Sequence, residues 1–161
     1  MIKLLFVLET RSSNRSDWMY INSTIDYFYK PRTFALDKIF ATSKTELIQQ
    51  DVKIKSKIND SDREVKVILV ADYDRDEELN NRIKKHCKIN NYDLVWMNLD
   101  VKDVYLGRQV PSNQKKSEAI NFQSKKHKLL PRLIGLGNNT PLKSRHTTNL
   151  LIVLDKYISR N

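Results

Sequence analysis

The chain of 161 residues has one cysteine and no long apolar run, and each absence excludes a class of structure. Cys87 has no second cysteine to pair with, so an internal disulfide is excluded, and we expect it to be an incidental helix residue. The longest apolar stretches, IKLLFVL and VKVILVA, are strand-length and far short of the roughly 20 residues that cross a bilayer. The amino-terminal residues show no signal-peptide pattern, so we expect no membrane association and a cytoplasmic location.

Glycine is also scarce, with three in the chain. The stretch GLGNNTPLKS, residues 135–144, carries the Lys-Ser pair of a phosphate-binding P-loop. That motif requires a glycine directly before the lysine, where this chain has Leu142. Nucleoside triphosphate hydrolysis is therefore not expected, and the alternative is a helix-capping loop in which Lys143 contacts phosphate.

Charge is unevenly distributed along the chain, whose formal net charge is +10. From Arg108 onward, eleven Lys and Arg residues are accompanied only by Glu118 and Asp155, whereas the first 107 residues are nearly neutral. A basic segment joined to a neutral one favours a nucleic-acid partner, because lysine and arginine displace the counterions of a phosphate backbone. A solvated basic surface is the alternative.

The apolar periodicity predicts alternating strands and helices. Predicted strands cover residues 2–8, 33–36, 65–71 and 93–97. The first predicted helix starts at Ser16 or Asp17 and carries apolar residues from Trp18 to Phe28. Four further helices are predicted over residues 43–58, 77–89, 115–128 and 147–158. Because the strongest strands are apolar on both faces, the pattern predicts an α/β fold with a mostly parallel sheet flanked by helices.

Acidic residues directly follow two of these strands. Glu9 follows the first strand, and Asp72 and Asp74 follow the strand of residues 65–71. Ligands of open parallel sheets bind beyond the carboxyl ends of the strands, so the three carboxylates converge if the two strands are neighbours. Carboxylates that repel one another are commonly held by a divalent metal, and Mg²⁺ uses one or two of them together with a phosphate.

These residues resemble the Toprim domain of topoisomerases, bacterial primases, OLD-family nucleases and RloB-like defence proteins. The resemblance rests on Glu9 after a first strand and on the sequence DYDRD, residues 72–76, after a later one. It implies a Rossmann-like sheet of four parallel strands with Mg²⁺ or Mn²⁺ at the acids. It also implies that Glu9 is an acid or base and a metal ligand, that Asp72 and Asp74 hold the metal, and that Asp76 is an auxiliary ligand.

The chain departs from the Toprim pattern at two positions and extends beyond it. Thr10 stands where the family has a glycine after the glutamate, and Tyr73 stands where it has a proline between the aspartates. The resemblance covers residues 1–98. Residues 99–161 are then expected to form a basic loop and helix extension that packs on the same domain.

The acids that follow the strand of residues 65–71 can also be interpreted without a metal ion. Asp74 or Asp76 could cap the helix that follows, and Glu77 and Glu78 favour its positive end. This reading leaves Glu9 unexplained, because no obvious helix begins there. A phosphoacceptor site of the receiver or haloacid-dehalogenase kind also uses strand-end aspartates, but the latter needs its Asp-x-Asp on the first strand.

Basic residues near the acids are candidates for contacts with phosphate. Arg11 and Arg15 lie in the stretch TRSSNRS after the first strand, which could equally be an exposed linker, and Lys102 follows the last predicted strand. Further candidates for contacts with the nucleic-acid backbone are Lys115, Lys116, Lys125, Lys126, Lys128, Lys143 and Arg145. His127 and His146 could stabilise a leaving group, with isolated surface histidines as the alternative.

These features together predict a metal-dependent phosphodiesterase or nuclease that acts on DNA or RNA, with Glu9, Asp74 and Lys102 as catalytic candidates. No motif positions a tyrosine as a covalent nucleophile, so hydrolysis is favoured over strand transfer. The resemblance implies a setting in phage defence or RNA processing, and a protein partner or a second copy of the chain stays open. The alternative is a non-catalytic module that binds nucleic acid or a partner through its basic third.

Overall fold

The computed structural model describes residues 1–9, 16–31, 33–98, 101–136 and 146–161. Within these residues the strands are β1 (Ile2–Glu9), β2 (Phe34–Ala41), β3 (Val65–Tyr73) and β4 (Asp93–Asn98). The α-helices are α1 (Ser16–Phe28), α2 (Asp51–Asn59), α3 (Glu77–Asn90), α4 (Val101–Leu106), α5 (Lys115–Leu129) and α6 (Leu150–Asp155). Short 3₁₀ segments cover Thr45–Gln49, Ser112–Gln114 and Leu130–Leu133.

The strands form one parallel sheet in the order β2-β1-β3-β4. Leu8 of β1 lies between Phe40 of β2 and Val70 of β3. On the other side of β3, Asp72 pairs with Met97 of β4. The predicted α/β fold with a four-stranded parallel sheet flanked by helices is therefore confirmed, and β1 and β3 are neighbours.

Alternation along the strands divides the buried side chains between two faces of the sheet. Phe6 and Leu8 point to the face covered by α1, α4, α5 and α6, which we call the α1 face. Leu5 and Val7 point to the opposite face, covered by α2, α3 and the first 3₁₀ segment, which we call the α3 face. Burial on both faces explains why the central strands are apolar throughout.

The residues after β4 pack into the core of the α1 face. Val104 and Tyr105 of α4, Phe122 of α5 and Leu150 of α6 are each at most 1% exposed and belong to the same cluster as the strand residues. Among the helices of the described ranges, none combines the length and the apolarity needed to cross a membrane.

The free edge of β4 is covered by the segment that precedes α6. Thr148 forms an antiparallel bridge with Met97, and the Asn98 N–H donates to the Thr147 carbonyl at 3.0 Å. The Asn149 amide accepts from the Trp96 N–H at 2.8 Å and donates to the Leu94 carbonyl at 3.0 Å. The side chain of one asparagine thus replaces part of a neighbouring strand, and it shields an edge that would otherwise invite pairing with another chain.

Two predicted elements near the start of the chain differ from the structure. The predicted strand 33–36 begins at Phe34 and continues to Ala41, because Asp37 and Lys38 interrupt its apolar pattern without ending it. Asp37 is neutralised by Lys57 at 2.8 Å, which is possible on an edge strand. The predicted helix 43–58 is divided at Gln50 into a 3₁₀ segment and α2.

Two differences also occur after β4. Helix α4 was not predicted, because six residues are too few for a periodic pattern, and it ends at Gly107 with φ +67°. The predicted helix 147–158 is shortened to Leu150–Asp155, because the backbone of Thr147 and Thr148 pairs with β4, while Thr148 Oγ1 accepts from the Leu150 N–H at 3.2 Å.

Candidate functional site

The carboxyl edge of the sheet contains a crevice between β1 and β3. The chain leaves β1 toward α1 on one face, and it leaves the neighbouring β3 toward α3 on the other face. Connections that diverge from adjacent parallel strands open the crevice in which α/β proteins of this architecture bind ligands. Glu9 is the last residue of β1 and Asp72 is next to last in β3, so both carboxylates flank this crevice.

The two carboxylates lie on opposite sides of the crevice. Glu9 pairs with Ala41, which is buried on the α3 face. Asp72 pairs with Met97, which is buried on the α1 face. Paired residues of neighbouring strands point to the same face, so Glu9 is directed to the α3 face and Asp72 to the α1 face. Both residues are partly exposed.

Asp74 lies just beyond β3 and is engaged by a lysine. Its Oδ1 accepts from Lys44 Nζ at 2.8 Å and from the Asp76 N–H at 3.0 Å. The Lys44 side chain is only 10% exposed, and its Nζ also donates to Asn80 Oδ1 at 2.5 Å. The Asn80 amide donates in turn to the Asp74 carbonyl at 2.9 Å. An ammonium group therefore occupies the position beside Asp74 at which the sequence predicted a metal ion.

Lys44 and Asn80 were not anticipated from the sequence. Lys44 follows β2 by three positions, and strand-end residues are the first candidates for a site. The predicted second strand stopped at residue 36, so Lys44 was not recognised as a strand-end residue. The correct length of β2 would have revealed it.

Asp76 caps α3, as the alternative interpretation of the acids predicted. Its Oδ1 accepts from the Leu79 N–H at 3.0 Å, and Glu77 and Glu78 occupy the first turn of the helix. The cap satisfies one of the N–H groups that every helix leaves unpaired, and the acids favour the positive end of the helix dipole. Asp76, Glu77 and Glu78 thus have a structural role in α3.

The described residues contain no group of three or more His, Cys, Asp or Glu side chains that could hold a metal ion. Of the four acids expected to hold the metal, Asp74 pairs with Lys44 and Asp76 caps α3, whereas Glu9 and Asp72 are the two that flank the crevice. This pair suits a hydrated Mg²⁺, which takes one or two carboxylates and completes its shell with water and phosphate oxygens. It does not suit an ion that needs a closed cage of protein ligands.

The lysines of α5 extend away from this crevice. Helix α5 runs beside α1 in the same direction, since Gln123 donates to Ser23 Oγ at 3.3 Å and the rings of His127 and Tyr27 are 6.0 Å apart. Because α1 starts at the carboxyl edge and ends at the amino edge, the lysines in the last turns of α5 lie near the amino edge. These are Lys125, Lys126 and Lys128.

Lys116 and these three lysines have no carboxylate partner among the residues that the structure describes. The acid on α5, Glu118, pairs with Arg108 at 2.6 Å. The other predicted phosphate contacts, Arg11, Arg15, Lys143 and Arg145, lie outside the described residues, as do the side chains of Lys102 and Lys115. The described lysines make α5 a basic helix, with Lys116 and Lys125 about 2.5 turns apart and therefore on opposite sides of it.

Comparisons with protein-family models, curated proteins and solved structures find no match for this chain. The fold class therefore rests on the sheet topology and the functional hypotheses on the geometry of the crevice.

Proposed function

We propose that this chain is a Toprim-like, metal-dependent phosphodiesterase that hydrolyses nucleic acid at the crevice between β1 and β3. The observation that supports the proposal is the adjacency of these strands, whose helices leave on opposite faces. This arrangement puts Glu9 and Asp72 on the two sides of the position where α/β proteins bind ligands.

In the proposed reaction, Glu9 and Asp72 would hold Mg²⁺ or Mn²⁺ from the two sides of the crevice. When bound, the ion would polarise the phosphate and stabilise the negative charge that develops on its oxygens. Glu9 accepts a proton from the water that attacks phosphorus. Lys44 keeps Asp74 neutralised and holds the start of α3 in place, so Asp74 acts through the loop rather than through the ion.

The burial of the tyrosines on the α1 face favours hydrolysis by water over a reaction with a covalent tyrosine intermediate. Tyr105 is buried, its hydroxyl is hydrogen-bonded to Thr24, and burial raises its pKa above the ordinary value. Tyr20 is equally buried and stacks on Tyr105 with ring centroids 4.9 Å apart. Because both side chains are buried in the core, their hydroxyls do not reach a phosphate.

The lysines of α5 support the retention of a substrate with a phosphate backbone. Lys116 is the second residue of α5, and Lys125 and Lys128 lie nine and twelve residues further on, or about 14 to 18 Å along a helix. A nucleic-acid strand along the side of α5 that carries Lys125 and Lys128 would pass phosphates over both of these lysines. Each phosphate contact contributes about 0.9 to the slope of log K against log salt for duplex DNA.

Cleavage of labelled single- and double-stranded DNA and RNA with Mg²⁺ or Mn²⁺ tests the proposal. We expect cleavage that EDTA abolishes and that Asp72→Asn reduces at least about 100-fold, because several kcal/mol of charge stabilisation depend on the metal. Asp62→Asn is the matched control, since Asp62 is 89% exposed in the loop before β3, at the opposite edge of the sheet. Equal cleavage by the parent and Asp72→Asn would refute the proposal.

The second candidate function is a non-catalytic nucleic-acid-binding module. The observation that favours it is the engagement of Asp74 by Lys44 and of Asp76 by the α3 backbone, which accounts for both acids without a metal. It predicts salt-sensitive binding by the parent and by Asp72→Asn alike, with no cleavage under any metal. Replacing Lys125 and Lys128 by alanine should weaken binding under either hypothesis and lower the salt slope by about 2.

A further inference from the structure

A second pair of ionisable side chains lies at the carboxyl edge on the α1 face. Asp103 of α4 is buried, with its side chain 3% exposed, and its Oδ1 lies 3.7 Å from His146 Nδ1. The Nδ1 atom is itself buried, whereas the His146 side chain as a whole is 26% exposed. The imidazole therefore turns one nitrogen toward a buried carboxylate, and its exposed part lies on the opposite side of the ring.

His146 has an uncommon backbone conformation, with φ +60°. Left-handed backbone is unfavourable for a residue with a large side chain and persists only where the surrounding structure holds it. The next residues supply that support, because Thr147 accepts from the Asn98 N–H and Thr148 bridges Met97. The conformation sets the direction in which the ring leaves the chain.

The pair lies on the same side of the crevice as Asp72. Asp72 pairs with Met97, and Met97 in turn bridges Thr148, two residues after His146. Asp72 and Thr148 are thus two strand spacings apart, or about 10 Å. Asp103 is on α4, which packs on the α1 face, and this is the face to which Asp72 is directed. Asp72 and the pair of His146 and Asp103 therefore lie at the same edge and on the same face of the sheet.

We propose that His146, oriented by Asp103, is the general acid that protonates the leaving oxygen in the proposed hydrolysis. The inference rests on the proposed function and adds the residue that completes it. Water forms the new bond to phosphorus and gives its proton to Glu9. The bond from phosphorus to the leaving oxygen breaks, that oxygen takes the proton from His146 Nε2, and the neutral imidazole regains a proton from solvent.

Asp103 is a positioning residue in this scheme. A carboxylate that accepts from Nδ1–H orients the ring so that Nε2–H of the imidazolium is directed at the leaving oxygen, and it favours the Nδ1–H tautomer that remains after the proton is given up. The 3.7 Å separation is longer than a hydrogen bond, as is common for catalytic contacts before the substrate binds.

The variant His146→Asn tests whether His146 is the general acid. Asparagine tolerates the left-handed backbone that this position requires, so the variant should keep the local fold. We expect kcat for an ordinary dinucleotide to fall at least about 100-fold, the usual contribution of a general acid. With a p-nitrophenyl nucleotide ester, whose leaving group needs no proton, we expect a loss of less than about threefold. An equal loss on both substrates would show that His146 is structural and would overturn the inference.

Chemical rescue supplies an independent readout. Glycine favours φ +60°, so His146→Gly should keep the backbone and leave room for imidazole. Added imidazole should restore activity to His146→Gly and should not change His127→Ala, the matched variant on the exposed side of α5. Failure of imidazole to act on a folded His146→Gly protein would count against a general acid.

Asp103→Asn distinguishes positioning from fold maintenance. We expect kcat to fall with little change in KM, and the ¹⁵N shifts of the His146 ring to report an altered tautomer while those of His86 and His127 stay constant. Unchanged His146 shifts would refute the pair even if no substrate is found. A parent that cleaves neither substrate would refute the proposed function and the acid with it, whereas an active parent matched by His146→Asn would refute this inference alone.

Discussion

Replacing Asn149 by alanine should destabilise the protein through the free edge of β4. The Asn149 side chain makes two hydrogen bonds to the β4 backbone, at 2.8 Å to the Trp96 N–H and at 3.0 Å to the Leu94 carbonyl. Alanine removes both bonds. Because the same segment carries His146, the substitution also loosens the attachment of the proposed general acid.

The magnitude follows from what happens to the two backbone groups. If water reaches the exposed edge, each lost bond costs about 1 kcal/mol, for a total of about 2 kcal/mol. If the segment stays in place and keeps water out, the unpaired groups raise the cost to about 3 kcal/mol or more. We therefore expect the free energy of unfolding to fall by about 2 to 3 kcal/mol.

Urea unfolding followed by circular dichroism measures this change, with the midpoint shifted and the slope m unchanged. Asn149→Asp should be about as damaging as alanine, because it keeps the acceptor for Trp96 but puts a carboxylate against the Leu94 carbonyl. The control is Asn81→Ala at an exposed position of α3, which should change stability by less than about 0.5 kcal/mol.

Hydrogen exchange locates the effect within the molecule. The Asn98 N–H donates to the Thr147 carbonyl, so it should lose protection in Asn149→Ala before the core strands do. Stability within about 0.5 kcal/mol of the parent, with Asn98 still protected, would refute the assignment of this segment as the cover of β4.

Two further predictions concern a helix cap and the response to alkaline pH. Asp76→Ala should cost about 1 kcal/mol in urea unfolding by removing the cap of α3, whereas Asp76→Asn should nearly retain the parent stability; equal losses would contradict the capping role. Burial and the hydrogen bond to Asp93 raise the pKa of Tyr157 to about 12. A raised pKa favours the neutral phenol of the folded state, so this contribution is present below about pH 10, where the unfolded phenol titrates, and is lost as pH rises through about 12. Tyr157→Phe should flatten the fall in stability over this pH window, and an unchanged slope would show that other groups cause it.

The central elements were predictable because their determinants are local. Strands β1 and β3 and helix α3 were placed within two residues of their observed ends, since a buried parallel strand is apolar on both faces and α3 carries its own cap at Asp76. Strand β2 was predicted too short, because Asp37 depends on Lys57 of another element for its charge balance. Helix α4 is too short to show a period and exists by packing on α1 and α5.

For the candidate site, the sequence by itself determined which residues stand at strand ends, and thus that Glu9 and Asp72 are candidates. Whether they flank one crevice depended on the order of the strands, which the tertiary structure decided by making β1 and β3 neighbours. The ion pair of Asp74 with Lys44 joins residues 30 positions apart, and the contact of Asp103 with His146 joins residues 43 apart. Such contacts form only after strand pairing and helix packing bring distant segments together, so they cannot be predicted from local periodicity and spacing.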